Sequence, residues 1–248
     1  MARAIEIIEK EIQDLETQVK LLAEKLQKAD SNYLECLALG VRQQLIMTAY
    51  YVCTQVYPEF FLKLSFSQTE QLQKHLKKIV IELQSQLLSL SQNSISALEL
   101  KDPRELISWQ KSLESNISNS LEIVSGEANL IIQKAGIFPP NVPSSLIEAA
   151  SQIDRSSEAI ASSPNLINIM VQNPEIPENG APIITSVQAI QLRLADIEFN
   201  NSQIMSARHQ IRHLLSQLSN LLREYQQIQG ERLIVEAENA WRRSWFDE

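Results

Sequence analysis

The longest periodic stretch of the chain runs from Thr185 to Gln229. Its apolar residues fall at Val187, Ile190, Leu194, Ile197, Ile204, Ile211, Leu215, Leu218, Leu222 and Tyr225, in alternating steps of three and four, with Asn201 and Arg208 in the two remaining slots. Such steps keep one stripe of a helix apolar, so the pattern predicts a coiled-coil helix over residues 185–229. At ~1.5 Å per residue the rod would be on the order of 65 Å long and would need partners along most of its length. A second seam, Ile5, Ile8, Ile12, Leu15, Val19, Leu22 and Leu26, predicts a coiled-coil helix over residues 1–29. In a parallel pair of identical copies Glu11 would face Glu16, and like charges there repel. Arg208 lies in the C-terminal seam and Arg212 beside it. The two seams are therefore expected to pair within one chain, antiparallel, with these arginines against Glu9, Glu11 and Glu16.

Between the seams, residues 32–135 read as the core helices of a bundle. Tyr33 to Tyr57 is apolar nearly all round, which predicts a helix buried on several sides. Pro58 ends it, and Ser67 with Glu70 has the spacing of a capping box ahead of the stripe Leu72, Leu76, Ile79, Leu83, Leu87 and Leu90. Asp102 before Pro103 is an N-cap signal for a further helix, which carries Leu106, Leu113, Ile117 and Leu121 and stops at Gly136. Residues 136–184 form a proline-rich connector. It holds a short helix opened by Ser145 and Glu148, then an irregular segment over 161–184 with four prolines, the Asn179-Gly180 pair and one apolar patch from Leu166 to Val171. Connections this long are usually functional or mobile, so a lid, a docking loop or a linker is expected. Residues 230–248 make a tail rich in aromatic residues and arginine. Few turn residues punctuate the chain and no sheet is expected. The fold class is all-α: a single domain, an elongated helical bundle with long N- and C-terminal coiled-coil helices.

Charge narrows the functions. A net charge of −8 and a pI near 5.1 argue against nucleic acid or an anionic membrane as general partners. The uncharged run between Arg42 and Glu59 is interrupted by Gln43, Gln44, Thr48, Thr54 and Gln55 and is too short for a membrane span. Cys36 and Cys53 form no CxxC or CxxH pair, which points to buried thiols in a reducing, cytoplasmic location rather than a disulfide or zinc site. The amino terminus is charged and amphipathic and lacks the apolar core of an export signal.

Candidate chemistry is sparse. His209 and His213 have the i, i+4 spacing of a zinc pair, but no Glu stands between them as in H-E-x-x-H and cationic Arg208 and Arg212 oppose a metal, so no metal or cofactor is expected. Arg208 to His213 is a basic cluster suited to an anionic ligand, RNA or an acidic partner, against which stands its use in pairing the two seams. After Lys134 every lysine is replaced by arginine as the fixed cation, and arginine is enriched at interfaces. No phosphate-binding glycine loop, nucleophile elbow or calcium loop is present, and no catalytic constellation is expected. The tail closes on Trp241, Arg242, Arg243, Trp245 and Phe246, aromatic density that either plugs a bundle end or docks elsewhere.

The segments RQQLIMTAYYVCTQVYPEFFLKLS (Arg42 to Ser65) and ENAWRRSWFDE (Glu238 to Glu248) resemble all-helical conserved hypothetical proteins of cyanobacteria, a resemblance that implies an origin and no activity. The function expected is that of a non-catalytic adaptor or scaffold engaging protein partners, a second copy of itself among them, through the 161–184 segment and through Trp241, Arg242, Arg243, Trp245 and Phe246. The alternative is a peripheral membrane protein whose C-terminal Trp/Arg tail lies in the lipid interface. Asp247 and Glu248 weaken that alternative on anionic lipid.

Overall fold

A computed structural model describes residues 5–92, 102–139, 164–172 and 184–245. The chain is an all-α helical bundle with one small sheet. Helix α1 spans Ile5–Tyr51 and runs into a π-helical turn, Val52–Val56; α2 is Pro58–Phe61, α3 Phe66–Gln92 and α4 Pro103–Lys134. Strands β1 (Leu166–Gln172) and β2 (Ile184–Ile190) follow, then α5 (Leu194–Phe199) and α6 (Ser202–Trp245). Two compact units emerge, one from Met1–Tyr33, Ser91–Glu114 and Ser206–Glu248, the other from Leu34–Leu90 and Ser115–Met205.

In the first unit the two seams pair antiparallel. Ile8 and Ile12 of α1 form a buried cluster with Val235, flanked by Ile5, Tyr225 and Ile228. Further along, Gln18 to Lys25 share a groove with Gln217 to Glu224, and Tyr33 lies under Arg208. Numbers rising on α1 meet numbers falling on α6. The register differs from the expected one, because the C-terminal seam continues past Tyr225 through Ile228 to Val235. That slides Arg208 away from the first turns of α1 and onto Tyr33 and Glu114. Asp102 caps α4 as its sequence implies, accepting the Arg104 N–H at 2.9 Å, and an Arg104–Asp102 ion pair holds that carboxyl below the usual carboxylate range.

The second unit corrects three expectations. First, α1 does not end near residue 29. It continues through Asp30, Ser31 and Asn32, and its second half buries Leu34, Leu37, Val41, Leu45 and Ala49 while Leu39, Met47 and Tyr50 remain exposed. It is thus a one-faced helix and is not enclosed on several sides. Second, the capping box of α3 is Ser65 and Gln68: the Ser65 N–H donates to Gln68 Oε1 at 2.8 Å and the Gln68 N–H to Ser65 Oγ at 3.3 Å. Third, a sheet exists. β1 and β2 pair antiparallel with Leu166 opposite Ile190 and Gln172 opposite Ile184, so Val187 and Ile190 belong to a strand and not to a coiled-coil helix. The helix expected from 185 is broken again between α5 and α6, where Asn201 Oδ1 accepts the Gln203 and Ile204 N–H groups and caps α6. The helix opened by Ser145 and Glu148, the Asn179-Gly180 pair and Phe246 lie outside the described residues.

The free edge of β2 is closed by side chains. In an antiparallel strand alternate residues turn their backbone groups away from the partner. On β2 and its extension these are Gln188, Ile190 and Leu192. The Tyr57 hydroxyl accepts the Gln188 N–H at 2.9 Å and donates to its carbonyl at 3.4 Å. Asn129 of α4 takes both backbone groups of Ile190, each at 2.8 Å, and Ser125 Oγ accepts the Leu192 N–H at 2.9 Å. Four helical residues rise ~6 Å and two strand residues ~6.6 Å, so Ser125 and Asn129 match the strand repeat. The edge that would otherwise recruit another chain is thereby used up.

At the start of β1, Asn165 is buried at φ 59°. Its side chain accepts the Arg193 N–H at 3.1 Å and donates to Gln44 Oε1 at 3.1 Å, while its own N–H reaches Asp196 Oδ2 at 3.0 Å. Asparagine tolerates this left-handed backbone better than other side chains with a Cβ. Asn165→Ala is expected to lower stability by about 2 kcal/mol in urea unfolding, through strain and two lost side-chain hydrogen bonds.

Candidate functional site

Three places hold the residues singled out by the sequence or exposed by the fold. The first is the basic cluster of α6, which the structure splits. Arg208 is largely buried: its guanidinium lies 2.7 Å from Glu114 and 5.6 Å above the ring of Tyr33. It serves the interior of the first unit, paired with Glu114 rather than with Glu9, Glu11 and Glu16. Arg212, His209 and His213 are exposed, and His213 Nε2 lies 3.1 Å from Gln217 Nε2. Among the described residues no three His, Cys, Asp or Glu side chains converge as a metal site would require.

The second place is the C-terminal part of α6. With Val235 turned into the Ile8 cluster, the opposite face carries Leu233, Ile234, Ala237, Trp241 and Trp245. Trp241 and Trp245 are 68% and 73% exposed, and one helical turn brings their rings to a 6.0 Å stack. Arg242 reaches back to Glu238 at 3.4 Å and Arg232 to Glu236 at 2.8 Å. From Glu231 to Trp245 three glutamates balance three arginines, so the stripe sits on a stretch of α6 with no net charge.

The third place was hidden from the sequence. Pro58 has no N–H and biases Tyr57 away from helical backbone, here φ −126° and ψ 51°. The chain closes instead with a wider turn in which the Tyr57 N–H donates to Val52 O at 2.9 Å. Beside this turn, in the second unit, Ile46, Ala49, Tyr50, Cys53, Phe61, Leu72 and Leu76 line a pocket of about 280 Å³, with Thr54, Gln73 and Lys77 completing it. Burial pushes the Cys53 thiol up to about 11, so it is protonated at neutral pH and a poor nucleophile. No carboxylate or imidazole lines the pocket. Its walls suit an apolar group to be gripped. The uncharged run from Gln43 to Pro58 was its only signal, because a helix that apolar on all faces must either be enclosed or present surface.

Among the described residues no helix is long and apolar enough to cross a membrane. No protein-family model, curated protein or solved structure matches this chain.

Proposed function

We propose that the protein is a non-catalytic adaptor that binds protein partners through two apolar surfaces, one on each unit. The observation that carries this reading is the exposed stripe Leu233, Ile234, Trp241 and Trp245 on a helix whose opposite face is already packed. Large aromatic residues grouped on one exposed face are typical anchors of protein interfaces. The pocket beside Tyr50 supplies the second surface. It sits at the small end of ligand sites, ~300–1,000 Å³, and its size and lining suit one or two apolar side chains of a partner. The lipid-interface alternative draws on the indole pair beside Arg242 and Arg243. The balanced charge of residues 231–245 favours protein instead, since anionic lipid is recruited by excess cations.

The test uses the full-length chain as bait in extract of its native cell, with Trp241→Ser/Trp245→Ser and Tyr50→Ser/Ile46→Ser as paired variants. Each pair is expected to lose a distinct partner at least tenfold, as removal of a hot spot of ~2 kcal/mol does. Retention of all partners by both variants would sink the adaptor reading. Flotation of the wild-type chain with phosphatidylserine vesicles, abolished by the tryptophan variant, would put a membrane in the partner's place.

A further inference from the structure

Asp30 is a carboxylic acid where the docking reading has no use for one. It lies on the buried face of α1, 2% exposed, and faces Gln110 of α4, 3% exposed. Gln110 Nε2 donates to Asp30 Oδ1 at 3.2 Å. The two remaining oxygens, Asp30 Oδ2 and Gln110 Oε1, are both buried and both without a hydrogen-bond partner. Two bare acceptors on one hydrogen-bonded pair of side chains are costly, and native interiors seldom tolerate even one. A single proton removes both defects. Placed on Oδ2, it turns that oxygen into a donor for Gln110 Oε1 and closes a ring of two parallel hydrogen bonds between a carboxylic acid and a carboxamide.

We propose that Asp30 is held as the neutral acid, ring-paired with Gln110, and that loss of its proton is a built-in switch that loosens the contact between α1 and α4 in the first unit. The charged neighbours do not defeat the proton. Arg208 of α6 favours the carboxylate, but its guanidinium is engaged 2.7 Å away by Glu114, whose own negative charge opposes ionisation of Asp30. Tyr33, one turn along α1, lies under the same guanidinium. Burial outweighs the Gln110 hydrogen bond and the Arg208 charge, which both favour the carboxylate, and lifts the carboxyl from its ordinary 3.8 to about 7. Because the folded chain keeps a proton that the unfolded chain releases, the stabilisation is complete below pH ~4, declines as pH rises and is gone above ~7. The inference is independent of the docking surfaces, and concerns the unit that bears Trp241 and Trp245.

Hydrogen exchange of the full-length chain, corrected for intrinsic rates, tests it in segments Leu26–Tyr33 and Leu106–Leu113. Exchange there is expected to be about tenfold or more faster at pH 8 than at pH 5.5 in the wild type. In Asp30→Asn, whose amide keeps both bonds of the ring without titrating, protection is expected to be independent of pH. An unchanged pH response in Asp30→Asn would overturn the switch. Infrared spectra of the wild type at pH 6 provide a measurement that needs no variant to fold: a protonated buried carboxyl band, lost at pH 9, is expected, and its absence at pH 6 would overturn the neutral acid.

Discussion

Asn129→Ala is expected to destabilise the second unit by about 4 kcal/mol. Asn129 is fully buried, and its carboxamide holds both the N–H and the C=O of Ile190 at 2.8 Å. Alanine leaves two buried backbone groups without partners, each costing ~1–3 kcal/mol, and its better helix propensity returns only about 0.6 kcal/mol. The loss should appear as a lower urea midpoint with hydrogen-exchange protection of Ile190 abolished. Asn129→Asp makes the cause specific. Its ionised carboxylate still accepts the Ile190 N–H but opposes the Ile190 carbonyl with a second negative oxygen, so it should be at least as damaging at pH 7 and recover as the pH falls and the carboxyl gains a proton to donate. If both variants unfold within 1 kcal/mol of the wild type, the helix-to-strand amide bridge contributes little and the strand edge must be held by other groups.

The same region shows why the sheet was illegible. Val187 and Ile190 are three residues apart, a step that a helical seam allows, and they precede a heptad run that is helical from Ser202 onward. In the strand, Val187 and Ala189 are buried and Ser186 is exposed, a period of two too short to stand out against the long run beside it. The β-branched content of Ile184, Thr185, Val187 and Ile190 was the available signal. What stabilises that strand comes from Tyr57, Ser125 and Asn129, residues far away in sequence, and no local pattern announces such long-range pairing. Capping at Asp102 and the helix stop at Gly136 were legible because they are local: Gly136 at φ 77° lets its own N–H and that of Ile137 return to the last turn of α4. Asp30 was illegible for the same reason as the sheet: no local pattern marks it as buried, and only Gln110 on another helix makes it an interior group.

The candidate site was legible in part. Trp241, Arg242, Arg243 and Trp245 are exposed on the final turns of α6, as a docking tail requires, because the apolar stripe lies opposite the side that Val235 commits to the seam. For Arg208 the seam position was legible and the partner was not: it was expected against Glu9, Glu11 and Glu16, with an external anion as the alternative, and it pairs with Glu114 over Tyr33. A residue in a seam faces a partner helix whatever its type, and the partner supplied Glu114 and Tyr33.

Ile8→Ala is expected to cost about 3 kcal/mol in the first unit, and the coupling of that loss to α6 tests the pairing on which the unit rests. Ile8 is fully buried against Val235, with Tyr225 and Ile228 at the margin. Truncation removes methyl groups from a cluster formed by two helix ends, where little else fills the space. Hydrogen exchange across residues 5–19 reads the local opening of this cluster and is the measurement that checks the loss. A double-mutant cycle of Ile8→Ala with Val235→Ala should show coupling of about 1 kcal/mol, since the two side chains share one cavity. The same cycle with Ile211→Ala should be additive to within ~0.5 kcal/mol, because Ile211 lies ~36 Å along α6 from Val235. Coupling to Ile211 and not to Val235 would restore the register that sets Arg208 and Arg212 against Glu9, Glu11 and Glu16. It would also release Val235 from the core and bring the apolar face of the tail into question, since that face is defined by what Val235 packs against.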